Sequence, residues 1–211
     1  MTRYDWRLRA LAAGLTGLAG FVDATGFIAS GGFFLSFMSG NSTRLGIGLA
    51  SAGEQAAMAG SLILAFVIGV TVGTLVGRAA GAAHRATVLL ALLTVTLASA
   101  ATLAGLHHVF PALLLTALAM GAENTVFEAD GDVRISLTYM TGNLVKVGQR
   151  LATALRGFDR WGWFPYLILW CAMIGGAVAG AVVSAALGLA ALWIAAGVAL
   201  VLTGTAAWIG R

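Results

Sequence analysis

A chain of 211 residues, 60% of them hydrophobic and only 9% charged, is too poor in charge for a soluble domain, where about a quarter of residues are charged. It reads as an all-α polytopic transmembrane helix bundle, a single integral membrane domain over residues 1–211. Twelve bases against eight acids leave 12 − 8 = +4, which membrane orientation accounts for better than a nucleic-acid partner does. The one cysteine, Cys171, excludes an intrachain disulfide and any Cys-cluster metal site.

Met1–Arg9 is a polar lead with Arg3, Arg7 and Arg9, and Leu8–Ser30 is the first apolar run. A basic lead before an apolar run also describes a secretory signal peptide. This run continues past any position where a cleavage site would fall and carries a motif that returns later. Phe33–Ala52 holds a Gly-Asn break and a short helix. Gln55–Val76 is a clean span, long enough at about 1.5 Å per residue for a hydrocarbon core of ~30 Å. Arg78–Arg85 is a basic loop, Ala86–Leu106 the next span, and His107-His108 its end. Pro111 opens Ala112–Phe127, and the acidic loop Glu128-Ala129-Asp130-Gly131-Asp132 follows. A second Gly-Asn break leads into a short helix from Asn143 to near Leu155. Arg156–Arg160 is polar. Trp161, Trp163, Phe164 and Tyr166 form an interfacial aromatic belt. Tyr166–Leu187 and Leu189–Ile209 close the chain, joined by a tight turn near Gly188.

The breaks are copies of one another. Met38-Ser39-Gly40-Asn41-Ser42-Thr43-Arg44 returns as Met140-Thr141-Gly142-Asn143-Leu144-Val145-Lys146, an offset of 143 − 41 = 102. Gly-Asn is a poor helix interior and a good helix start, since Gly relaxes the backbone and Asn can cap the following turn. Gly20-Phe21-Val22-Asp23-Ala24 likewise matches Gly121-Ala122-Glu123-Asn124-Thr125, an offset of 124 − 23 = 101. Two repeats follow, about 8–106 and about 109–209. Each has a span with a buried polar residue, a broken segment and two more spans.

The parity of crossings decides how the repeats are related. With six crossings and the N-terminus inside, Arg44 is the only base on the outer side. With eight crossings Arg78, Arg85 and Arg134 also move outside. The positive-inside rule therefore favours about six spans, two short re-entrant helices and inverted repeats. Both termini are then cytoplasmic.

Asp23 lies near the middle of the first span, where a carboxylate costs several kcal/mol unless it faces a partner, water or the bundle interior. Such acids carry coupling protons or hold cations; the bland alternative is a structural acid bonded to Ser, Thr or Asn of neighbouring helices. Glu123, beside Asn124, is the second proton-coupling candidate. The breaks offer helix N-termini with free N–H groups and partial positive charge. Ser39, Asn41, Ser42, Thr43, Thr141 and Asn143 add side-chain donors and acceptors, with Asn124 a further binding candidate, and Arg44 and Lys146 a full charge one turn in. Half-helices at a repeat interface are the sequence pointer to a transporter's binding site. Against this stand packing kinks, and bases that snorkel to headgroups. No nucleophile–base pair, phosphate loop or metalloprotease motif is present, so no enzyme, metal or cofactor is expected.

Gly20-x-x-Asp23-Ala24, Phe37-Met38-Ser39-Gly40-Asn41, Gly121-x-x-Asn124 and Tyr139-Met140-Thr141-Gly142-Asn143-Leu144 together resemble the YoaK-type family of small bacterial inner-membrane proteins. That family is catalogued as a domain of unknown function with about six spans. The likeness covers nearly the whole chain, with Ser39 where Thr is usual and Glu123 where Gln is usual. It implies bacterial origin, inner-membrane location and no cofactor, and it supplies no substrate.

The expectation is a secondary transporter or channel-like permease for a small polar or anionic solute, with the lipid bilayer as its solvent. Its site lies between the two Gly-Asn breaks. The competing reading is a non-transporting sensor, assembly factor or interaction protein. Gly175-Gly176-x-x-x-Gly180 suits a homodimer seam and packing within one bundle equally.

Overall fold

A computed structural model describes residues 5–51, 53–129, 132, 133 and 137–210. Met1, Arg3, Ala52, Asp130, Gly131 and Arg134, named above, lie outside the described residues. Seven helices follow in order: α1 Trp6–Ala29, α2 Met38–Ala50, α3 Gln55–Gly105, α4 Val109–Glu123, α5 Met140–Leu155, α6 Phe164–Leu187 and α7 Ala191–Ile209. A 3-10 turn, Gly188–Ala190, joins the last two. Between α4 and α5 a two-residue antiparallel pair, β1 Glu128–Ala129 and β2 Asp132–Val133, sets Glu128 opposite Val133. Among the described residues α1, Gln55–Gly105 and Phe164–Ile209 are long and apolar enough to cross a membrane.

The 51 residues of α3 are two arms. Gly81 has φ +73° and ψ 163° and is the one non-helical residue inside. A positive φ costs glycine nothing, so the chain reverses there. Arg85 and Leu89 come back to lie against Gly77. The basic loop expected over Arg78–Arg85 thus shrinks to one residue. α4 starts at Val109, ahead of Pro111, because a first-turn proline gives up an N–H that has no helical partner anyway. It ends at Glu123 after about 22 Å, short of the span expected to run to Phe127.

Glycines bring helix backbones into direct contact. α1 and α6 lie side by side in the same direction: a Cβ on Gly176 would strike the Gly17 carbonyl, and one on Gly180 the Phe21 carbonyl. Farther along, Ser184 Oγ donates to Thr25 Oγ1 at 2.9 Å. The first arm of α3 and α4 meet in the same way, Gly69 against Leu118 and Gly73 against Ala122. Gly20 presses on Met173 in one pair and Gly121 on Phe66 in the other. The Gly176–Gly180 motif is therefore spent inside the bundle, while Gly175 beside it meets nothing within 4 Å.

The remaining contacts fix the directions. The second arm of α3 runs against α7, with Thr94 Oγ1 and Thr203 Oγ1 3.3 Å apart and Leu192 packed on Ala100 and Ala101. Arg7 at the start of α1 stacks on Trp208 at the end of α7. So α1, the second arm of α3 and α6 point one way, and the first arm, α4 and α7 the other. Arg7, Arg78, Arg85, Arg156 and Arg160 gather at one end. Leu15, Leu62, Leu93, Leu113, Met120 and Leu169 are among the fully covered side chains that fill the core.

α2 and α5 stand outside this six-helix arrangement. After α1, Gly31 and Gly32 at φ +71° and +116° turn the chain back. Leu35 then fits against Gly26, where a Cβ would collide with it. Ser36 reaches the level of Asp23, and α2 climbs out again until Gly48 meets Ala56 at the start of α3. Correspondingly, Thr138 returns to the level of Asn124, and α5 leaves along α6, where Lys146 lies over Tyr166. Each short helix exits at the end from which its chain entered.

Candidate functional site

The starts of α2 and α5 face one another across a cavity of about 220 Å³. Ser36, Phe37, Met38 and Ser39 wall one side, Thr138, Tyr139 and Thr141 the other, and Phe66 of α3 is also at its edge. The first N–H groups of a helix have no acceptor within it, and the aligned peptide dipoles place partial positive charge there. Two such ends therefore point into one space. The hydroxyls of Ser39 and Thr141 are exposed, and among the described residues neither has a hydrogen-bond partner.

The two starts are supported by matching bonds with different charge. Asp23 is buried and takes three donors: Leu35 N at 2.7 Å, Ser36 N at 2.6 Å and Ser36 Oγ at 2.6 Å. Bonds to a charged acceptor contribute about 1.5–3 kcal/mol each, which offsets part of the cost of burying the carboxylate. At the equivalent place Thr138 Oγ1 donates to Asn124 Oδ1 at 3.0 Å, and Asn124 Nδ2 donates to Met120 O at 2.9 Å. The α2 start is thus backed by an acid, and the α5 start by a neutral amide.

Glu123 is the exceptional acid. It is fully buried, and among the described residues neither carboxyl oxygen has a hydrogen-bond partner. It is close enough to Asp23 for the two to interact electrostatically.

The other sequence candidates are distributed unevenly. Asn41 is not the cap of α2, which begins three residues earlier at Met38. Its amide clasps the returning loop instead: Phe34 N donates to Oδ1 at 3.0 Å, and Nδ2 donates to Phe34 O at 2.7 Å. Asn143 is likewise inside α5 and buried, with Nδ2 3.8 Å from Met140 Sδ. Ser42 and Thr43 donate back to Met38 O and Ser39 O of their own helix. The Arg44 guanidinium lies over Phe33 and Phe27, at 5.1 and 5.7 Å, and Lys146 lies 5.4 Å over Tyr166. Of the nine residues so named only Ser39 and Thr141 line the cavity. Ser36 and Thr138 were not singled out from the sequence. They share the repeat offset, 138 − 36 = 102, so extending the duplicated stretch back by two residues would have reached them.

A second polar cluster pins the loop that leads into α5. Arg85 donates to Glu128 Oε2 at 2.8 Å, Thr74 Oγ1 to the same oxygen at 3.3 Å, and Arg78 lies 3.5 Å from Oε1. Glu128 and Arg85 are largely covered, whereas Arg78 is 64% exposed. The inner pair therefore carries the connection, because exposed ion pairs add little. Among the described residues no group of three or more His, Cys, Asp or Glu could hold a metal ion.

Comparison with known proteins covers nearly the whole chain. The family described as "Protein of unknown function (DUF1275)" matches residues 11–205. The UPF0700 transmembrane protein RA0705 of Rhizobium meliloti (strain 1021) is 34% identical over 204 residues, which cover 96% of this chain and 87% of the relative. No solved structure matches.

Proposed function

Because the chain belongs to the DUF1275 family, whose members have no known function, we propose from the site itself that it is a small secondary transporter or channel-like permease. It lies in the bacterial inner membrane with both termini cytoplasmic and moves a small polar or anionic solute. The observation that carries this reading is the meeting of the α2 and α5 starts across one hydroxyl-lined cavity. Two inverted repeats place such half-helix ends near the membrane midplane, and rocking one repeat against the other alternates access to them. The negative group of the solute sits at the α5 start, where Asn124 brings no charge of its own, and Ser39 and Thr141 supply free hydroxyls. Arg44 and Lys146, both held against aromatic rings, contribute field rather than contact.

Of the two acids, Glu123 is the proton carrier. Asp23 already has a donor on each oxygen and holds the returning loop, whereas Glu123 has none among the described residues. In liposomes the wild type is expected to accumulate solutes from a panel of carboxylates, inorganic anions and polyols when an inward proton gradient is imposed. Glu123→Gln keeps the volume and removes the titrating group. It should remain folded and lose the response to the gradient. An unchanged gradient response in Glu123→Gln removes the proton role. Flux of no panel member, in wild type with verified folding, favours a non-transporting partner of another membrane complex.

Topology is a separate test of the inverted halves. In a Cys171→Ala background, Ser51→Cys should react with a polar maleimide only from the periplasmic side of oriented vesicles, and Arg156→Cys only from the cytoplasmic side. Labelling of Ser51→Cys from the cytoplasmic side would mean that α2 crosses, making the halves parallel.

A further inference from the structure

We propose that the protein binds one anionic phospholipid at the basic end of the bundle, in the groove between its first and last helices, α1 and α7. The inference is independent of any transported solute.

The groove has a volume of about 230 Å³ and is lined by Trp6, Arg7, Ala10 and Leu11 of α1 and by Leu202, Thr205, Trp208 and Ile209 of α7. Apart from one guanidinium and one hydroxyl, its walls are hydrocarbon or indole. Thr205 Oγ1 is already committed to Leu202 O, 2.8 Å away, so the groove offers an acyl chain nothing polar to displace. Arg7 stands at its mouth. The guanidinium carbon lies 4.6 Å from the centre of the Trp208 ring and 5.7 Å from that of Trp6. Those rings are 60% and 68% exposed and mark the interfacial level, where indoles sit among headgroups.

Charge says which lipid fits. Among the described residues Arg7 is in no salt bridge, and Glu128 at this end is taken by Arg78 and Arg85. The guanidinium lies over two indoles, and among the described residues no acceptor takes its N–H groups. A phosphate diester accepts such a fork in bidentate fashion. A zwitterionic lipid brings a compensating cation against Arg7, whereas a phosphatidylglycerol-type headgroup does not. A lipid seated here would tie α1 to α7.

The test uses the full-length protein in nanodiscs and detergent, with phosphatidylglycerol and phosphatidylcholine as probes. Native mass spectrometry should show one phosphatidylglycerol retained about fivefold more tightly than phosphatidylcholine, the factor one base near an anionic surface provides. Phosphatidylglycerol should also raise the melting temperature. Arg7→Gln should abolish the preference while leaving phosphatidylcholine binding unchanged. Ala10→Leu, which fills the groove without touching the charge, should weaken both lipids and serves as the second variant if Arg7→Gln folds poorly. The proposal is overturned by equal retention of the two lipids in the wild type, by an undiminished preference in Arg7→Gln, or by undiminished retention in Ala10→Leu. It is also overturned if inorganic phosphate alone reproduces the melting shift, because the groove then holds no acyl chain.

Discussion

Gly176→Val is expected to prevent recovery of a folded, monodisperse protein, while Gly175→Val, one residue away, behaves as wild type. The two glycines differ only in which way they face. A Cβ at Gly176 would land on the carbonyl of Gly17 across the α1–α6 seam, whereas one at Gly175 meets nothing within 4 Å. Overpacking a core with flexible neighbours costs about 1–3 kcal/mol, but here the obstacle is backbone and cannot rotate away. The helices must separate, and every contact along the seam separates with them, including the buried Ser184–Thr25 bond. In lipid no hydrophobic force draws the helices back together, since acyl chains are as apolar as the side chains they replace; close packing is the attraction. Size-exclusion profiles and detergent melting curves of the two variants decide the matter. Equal behaviour of the pair would mean that α1 and α6 do not meet as described. Gly69→Val, whose Cβ would meet Leu118 in the other half, should fail in the same way.

Asn41→Leu should lower stability by roughly 2 kcal/mol or more, the cost of leaving two part-buried backbone groups unpaired, at about 1–3 kcal/mol each when fully covered. Those groups are the N–H and C=O of Phe34, both held by the one amide. Ser42→Ala is the matched control. Its hydroxyl is exposed and bonds only within its own helix, so the change should stay within about 0.5 kcal/mol. The comparison separates two roles for Asn41. A ligand contributed to the cavity would, when removed, weaken solute binding and leave the melting temperature alone. A clasp on the returning loop would, when removed, lower the melting temperature first. Loss of binding with an unshifted melt would restore Asn41 to the site as a direct contact.

The clasp bears on how the site is held. Asp23 and Asn41 grip the same short return from opposite sides, the acid through Leu35 and Ser36 and the amide through Phe34. Loop backbone in an apolar medium is tolerated only where protein satisfies its polar groups. The conspicuous polar residues of the first break are thus largely consumed in making the break possible. The hydroxyls at the helix tips, Ser39 and Thr141, are what remains free for a solute.

Residues alone determined the class of molecule and the positions of its interruptions. Composition and run length report which solvent each segment meets, and lipid admits few segment types, so the apolar helices, the breaks near Gly40 and Gly142 and the exceptional acids Asp23 and Glu123 were legible one segment at a time. The recurrence of Met-Ser-Gly-Asn as Met-Thr-Gly-Asn is legible because it is written in residue identities. Tertiary structure decided the rest. It reduced the Arg78–Arg85 loop to a reversal at Gly81 and moved the helix starts ahead of both Gly-Asn pairs. It turned Arg44 onto Phe33, and it separated Asp23, fully supplied with donors, from Glu123, which has none among the described residues. Some of these outcomes depend on partners far along the chain, as the Gly81 reversal sets Arg85 on Glu128, and others on residues that a returning loop brings back, as Asp23 meets Leu35 and Ser36. Local pattern fixes whether a side chain prefers lipid or a polar neighbour. Which neighbour it meets is set by the close approach of helix backbones, and that approach exists only once the bundle is packed.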